Sequence, residues 1–174
     1  MKLIKLLCIC CFYLTSCSAK DNDVQNINTD DIPITNEETE DNFEMETTQN
    51  VVAQSVSFSG EEGNYTVSVT LLSPDMGCDQ YADWWEIITE DGELVYRRIL
   101  AHSHVNEQPF SRSGSAIDVQ ANEILIIRGH MNNLGYGTSA LKGSVESGFE
   151  TVELEDGFAS DLSETAPLPD GCAF

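Results

Sequence analysis

The stretch from Tyr81 to His104, YADWWEIITEDGELVYRRILAHSH, constrains the fold most. Two runs rich in β-branched and aromatic residues flank Glu90-Asp91-Gly92-Glu93. Asp-Gly tolerates the positive φ angles of a tight hairpin turn, so the stretch reads as a β-hairpin. A hairpin of this composition cannot stand alone in water; it needs further strands to cover it. The sequence supplies them. Tyr65, Val67, Val69 and Leu71 alternate with Thr66, Ser68 and Thr70, the pattern of a strand with one buried face. Val51 to Phe58, Ser115 to Val119, Glu123 to His130, Leu141 to Val145 and Phe149 to Leu154 are further strand candidates. No long stretch carries helical periodicity. About seven or eight short strands with regular turns predict an all-β domain, a β-sandwich of immunoglobulin-like or jelly-roll-like form, with a small barrel as the alternative.

Within that domain the run Ile124 to Ile127 is uninterrupted apolar, as a central strand would be. Gln120-Ala121-Asn122 is read as the turn joining the strands on either side of it. His102 to Gly114 reads as a polar loop, and Asp156 to Phe174 as an irregular tail.

The start of the chain has a different character. Lys2 and Lys5 precede a mostly apolar run, Leu6 to Leu14, far shorter than the ~20 residues a membrane-crossing helix needs. This is an export signal, residues 1–16. It ends in Leu14-Thr15-Ser16-Cys17, which resembles the lipobox of bacterial lipoproteins. The resemblance implies cleavage before Cys17 and acylation of its sulfur, palmitate included. The partner is then a lipid bilayer, and the place the bacterial outer membrane. Lys20-Asp21-Asn22-Asp23 resembles a surface-export signal of some Gram-negative lipoproteins; a solvated linker facing the periplasm is the other reading. Residues 17–50 form a tether: ten of the residues from Ser18 to Asn50 are acidic and Lys20 is their one base, too little apolar content to order itself. A coil of that length spans ~30 Å. Residues 51–174 are left as one domain.

Cysteine usage follows. Cys8, Cys10 and Cys11 leave with the signal and Cys17 takes the lipid, so Cys78 and Cys172 remain. In an exported domain two thiols predict one disulfide, pinning the tail to the loop before the hairpin. The formal charge is −22 before cleavage, and the signal removes two lysines and no acid. So negative a field repels nucleic acid and excludes it as a partner.

Chemistry-bearing residues are few. His102, His104 and His130 are all the histidines, with Met131 beside the last. If the strand ends converge, they could hold copper, or zinc with a water. Trp84 and Trp85 are adjacent, so on a regular strand they face opposite ways and one could be exposed. An exposed Trp would suit a glycan or protein partner, and Tyr136 belongs to the same set of candidate aromatic residues. Arg97, Arg98, Arg112 and Arg128 are expected to pair with Asp79, Asp83 or Glu86. No phosphate-binding fingerprint, EF-hand loop or nucleophile elbow is present, so the sequence argues for a binding domain over an enzyme. The runs around Gly77 to Glu86, His102 to Val105 and Arg128 to Asn132 resemble motifs of uncharacterised exported bacterial domains, a resemblance that brings no activity.

Overall fold

A computed structural model describes residues 49–173. The signal, Cys17 and most of the tether lie outside the described residues. Nine strands form two antiparallel sheets, as a sandwich requires. The smaller sheet has the order β1-β2-β5: β1 is Val52–Glu61, β2 is Asn64–Leu72 and β5 is Phe110–Ile117. The larger has the order β4-β3-β6-β8-β9, built from β3 (Ala82–Thr89), β4 (Leu94–Ile99), β6 (Leu125–Met131), β8 (Ser139–Ser144) and β9 (Gly148–Glu153). A two-residue strand, β7 (Gly135–Tyr136), pairs with β6. No helix among the described residues is long and apolar enough to cross a membrane.

The alternation in β2 does what its period demands. Tyr65, Val67, Val69 and Leu71 are buried and face Trp85, Ile87, Leu125 and Ile127 of the other sheet in one core. The β3–β4 hairpin forms, but its turn is looser than a two-residue one. The Gly92 amide donates to the Thr89 carbonyl at 3.0 Å, and only Gly92 in the loop has positive φ, +84°. A type I turn followed by one left-handed residue is the usual three-residue solution. At Gly114 the two sheets approach closely: any Cβ there would fall on the Tyr96 ring.

One expectation is corrected. The supposed loop before Gly114 is shorter, because β5 starts at Phe110, which is buried while Ser111 and Ser113 face solvent. As β5 pairs with β2 alone, its outer face has no cover and can be polar, which disguises a strand as a loop. Gln120-Ala121-Asn122 does lie between two strands, β5 and β6, and carries the chain from the small sheet to the large one. The tail is irregular, as expected, and fixed near its end by Cys172. It runs over the outer face of the large sheet, includes a 3₁₀ turn at Ser160–Glu164, and adds Leu162 and Phe158 to a second apolar cluster with Ile88, Ile126 and Ala140. That cover is why β3 and β6 are buried on both faces while β2 is buried on one.

The expected disulfide joins Cys78 to Cys172, 94 residues apart, and ties the tail to the loop before β3. Closing a loop of that length removes entropy from the unfolded chain. The Cys78→Ser/Cys172→Ser variant should lose about 2–4 kcal/mol in urea unfolding while keeping the far-ultraviolet spectrum of the native sheet.

Candidate functional site

The outer face of the large sheet is where polar chemistry concentrates. Register explains the arrangement. Glu86 on β3 stands opposite Arg97 on β4 and opposite Arg128 on β6, so the three side chains form one row on one face. One Glu86 oxygen accepts from Arg97 Nη2 at 2.6 Å, and the other from Arg128 Nε at 2.9 Å. All three are buried. Buried charge is tolerated only when every hydrogen-bonding direction is answered, and here the tail answers. Arg97 donates to the carbonyls of Leu162, Thr165 and Pro167; Arg128 donates to those of Phe158 and Ala159. Two guanidiniums thus hold segment 158–167 on the sheet like a strap.

Aromatic rings complete the row. Arg97 lies 4.4 Å over the Trp84 ring, and Arg128 lies 3.6 Å over Tyr136. Tyr136 donates to Glu86 at 3.3 Å. Burial, then the Glu86 charge, pushes its phenol up to about 12, so it stays a donor. His130, opposite Trp84 in register, stacks on it with centroids 3.6 Å apart. A shift in register between Ala82 and Trp84 brings Asp83 to the same side. There it meets His130 Nδ1 at 2.7 Å. A carboxylate only accepts, so Nδ1 carries the proton and Nε2 is left over. Nε2 has no hydrogen bond among the described residues.

Beside this group lies a cavity of about 390 Å³ between β6, β7 and the strap. Arg128, His130 and Tyr136 line it from the sheet; Glu155, Asp156 and Ser160 line it from the strap. Its size falls in the ordinary range of small-ligand sites.

The sequence placed some of these residues and misplaced others. Both tryptophans are buried, which overturns the expectation that one is exposed: Trp85 lies in the core, and Trp84, facing the other way, is covered by the Arg97 guanidinium and the His130 ring. Neither can meet a glycan face-on. Tyr136 does border the cavity, though Arg128 occupies one of its faces. Arg97 and Arg128 pair with Glu86 as foreseen; Arg112 pairs instead with Glu107, at 2.8 Å.

The three histidines do not converge. Among the described residues no group of three potential metal ligands forms. His102 is exposed, its ring 4.6 Å from that of His104. His104 is buried against Phe110, centroids 3.8 Å apart. His130 is committed to Asp83, and Met131, next on the strand, points into the core. Strand alternation alone separates the thioether from the imidazole. The one signal that could have found the true cluster was the pair of arginines on apolar strands, each a buried charge in need of a carboxylate.

A second polar knot ties the loops at the end of the sheet where β3 begins. Asp75, buried, accepts from Ser73 Oγ at 2.5 Å and from the backbone amides of Ala82 and His104 at 3.0 and 2.7 Å. His104 itself gains nothing from this: neither ring nitrogen has a hydrogen bond, and Nδ1 stays 3.8 Å from Asp75.

Comparison with known proteins gives one relative of note. A protein of Halomicrobium mukohataei named "Putative lipoprotein" is 38% identical over 98 residues. The match covers 52% of this chain and 48% of the relative, so the chain spans about half the length of the relative it matches. No family model and no solved structure matches the chain.

Two outcomes follow from the geometry. Glu86→Gln leaves two buried guanidiniums without their counter-charge and should cost about 3–5 kcal/mol in chemical unfolding. Burial, with Arg112 and His102, lowers the pKa of His104 below its ordinary 6.5 despite Asp75 and Glu107. The unfolded chain therefore takes up a proton first. The stability contributed by a neutral His104 is whole above pH 6.5 and is lost as pH falls through that value toward the folded pKa. The unfolding midpoint of His104→Phe should fall less than that of the parent between pH 8 and pH 5.

Proposed function

We propose that this chain is a lipoprotein that presents a ligand-binding β-sandwich domain at a membrane surface. Two things support the anchor: the Leu14-Thr15-Ser16-Cys17 motif and a relative whose name is that of a lipoprotein. Attachment is through an acylated Cys17, cleavage falls after residue 16, and residues 17–50 carry the domain away from the lipid. Several acyl chains hold strongly, since each buried CH₂ contributes about 0.8 kcal/mol. The location is the outer membrane.

The single observation that carries the binding role is the cavity beneath the strap. A buried imidazole oriented by Asp83 opens on it, and its walls come from elements far apart in the chain. The surrounding charge network holds those walls in place, so the site is formed before any ligand arrives. Such preorganisation lowers the entropic cost of binding.

The anchor is tested by expressing the full chain and its Cys17→Ser variant in a Gram-negative host. The parent should sediment with outer membranes, partition into detergent, and show an acylated Cys17 at the mature N-terminus by mass spectrometry. The variant should appear as unprocessed or soluble protein. An unmodified N-terminus in the parent removes the anchor from the proposal.

A further inference from the structure

Exposed apolar side chains are usually scattered singly over a domain. Here they gather at one end. Five large ones are exposed among the described residues: Met76, Val105, Ile124, Leu134 and Leu168. Met76 lies between β2 and β3, Val105 between β4 and β5, and Leu134 between β6 and β7. Register puts these connections at the same end of the sandwich: Ala82 is opposite Met131, Ile99 opposite Trp84, and Phe110 opposite Leu71. They are also bonded to one another. Asp75, beside Met76, accepts from the amide of His104, beside Val105, at 2.7 Å. Gln80 accepts from Asn133, beside Leu134, at 3.2 Å, and the Cys78 carbonyl accepts from Asn132 at 3.0 Å. Leu168 lies on the tail before Cys172, which the disulfide fixes to the same loops. Only Ile124 lies at the opposite end, where the chain enters β6. Met76 is 78% exposed, on a turn closed by its own amide on the Gln80 carbonyl at 2.8 Å.

Two observations bear on what covers this rim. The first is where the rest of the chain joins. Asn50 lies against Gly137, Val51 packs on Gly129 of β6, and Val52 stands opposite Leu72, where the Met76 connection begins. The segment that leads back to Cys17 therefore enters at the apolar end. A coil spanning ~30 Å keeps the rim within reach of an anchored lipid, and a contact too weak to hold a free protein becomes intramolecular, at a roughly millimolar effective concentration. The second is charge. The connections at the opposite end expose Glu61, Glu62, Asp91, Glu93, Asp118 and Glu146. The rim itself exposes Asp79, Asp170 and Glu107, the last paired with Arg112 at 2.8 Å, with Glu155 and Asp156 beside it after β9. An anionic bilayer repels the more acidic end more strongly and turns the apolar end toward the lipid.

We infer that this end of the sandwich docks on the bilayer that holds the anchor, with Met76, Val105 and Leu134 entering the headgroup region. This rests on the anchor proposed above and adds the orientation of the domain, its acidic end facing outward. Interfacial binding scales with the apolar area buried, so three side chains give a weak, reversible contact that only an anchored protein would hold.

The test uses full-length protein purified from bacterial membranes and reconstituted into vesicles of phosphatidylethanolamine and phosphatidylglycerol with brominated acyl chains. Mass spectrometry of the same sample reads the state of Cys17. Trp84 and Trp85 are buried, so the parent supplies the fluorescence background. The added emission of Met76→Trp should shift to the blue and be quenched by bromine. That of Glu93→Trp, at the opposite end, should stay at the wavelength of an indole in water and escape quenching. Adding Val105→Ser and Leu134→Ser to Met76→Trp removes apolar area from the contact and should relieve the quenching about threefold. Quenching that survives both serines belongs to the added indole alone and overturns the docking. Equal quenching at positions 76 and 93 means no preferred orientation and overturns it too. A blue shift without quenching means that a second copy of the chain covers the rim in place of lipid. An acylated Cys17 with unquenched Met76→Trp overturns the docking and leaves the anchor standing; an unmodified Cys17 overturns both.

Discussion

The contact on which the rest of this structure depends is the carboxylate of Glu86 shared between Arg97 and Arg128. It sits on the outer face of a sheet, where a sandwich would normally meet water. Two guanidiniums carry more donors than one carboxylate can satisfy, so the row is incomplete without further acceptors. The carbonyls of Phe158, Ala159, Leu162, Thr165 and Pro167 supply them. Backbone carbonyls near a 3₁₀ turn cannot all bond internally, so each side meets the other's need. The outcome is a third layer over the large sheet made from chain with little regular structure of its own.

That layer has consequences beyond its own contacts. It brings the tail beside β6 and β7, so that a cavity lies between them. It also explains why apolar residues occupy both faces of β3 and β6, a pattern more often found where a sheet is covered on each side. A buried ionic cluster is a poor source of net stability compared with apolar packing of equal volume. Its value here is positional. Guanidinium forks accept few geometries, so the strap has one register on the sheet, and the walls of the cavity inherit that register.

Much of the fold was legible in the residues. Period-two alternation marked β2, the Asp-Gly turn marked the β3–β4 hairpin, and the apolar run at Ile124 to Ile127 marked β6 as central. Each is a local signal, decided within a few residues. The pairing of Cys78 with Cys172 was legible by elimination. Less visible was β5, because an edge strand with one solvated face has loop-like composition. The candidate site was legible only in fragments. Glu86 was a foreseen partner for the arginines. Histidine spacing misled, since His102 and His104 lie in a loop and only His130 lies on a sheet strand.

The residues by themselves determined an all-β fold behind an acidic segment, because periodicity, turn chemistry and charge are properties of short stretches. The tertiary structure alone decided which face each charged side chain shares, and with whom. Arg97 and Arg128 are 31 positions apart, yet they stand on either side of one glutamate because strand register places them there. The tail lies over them because five of its carbonyls are the acceptors they lack. No local pattern encodes that meeting; it exists only once the sheet has formed and its unspent hydrogen bonds must be answered.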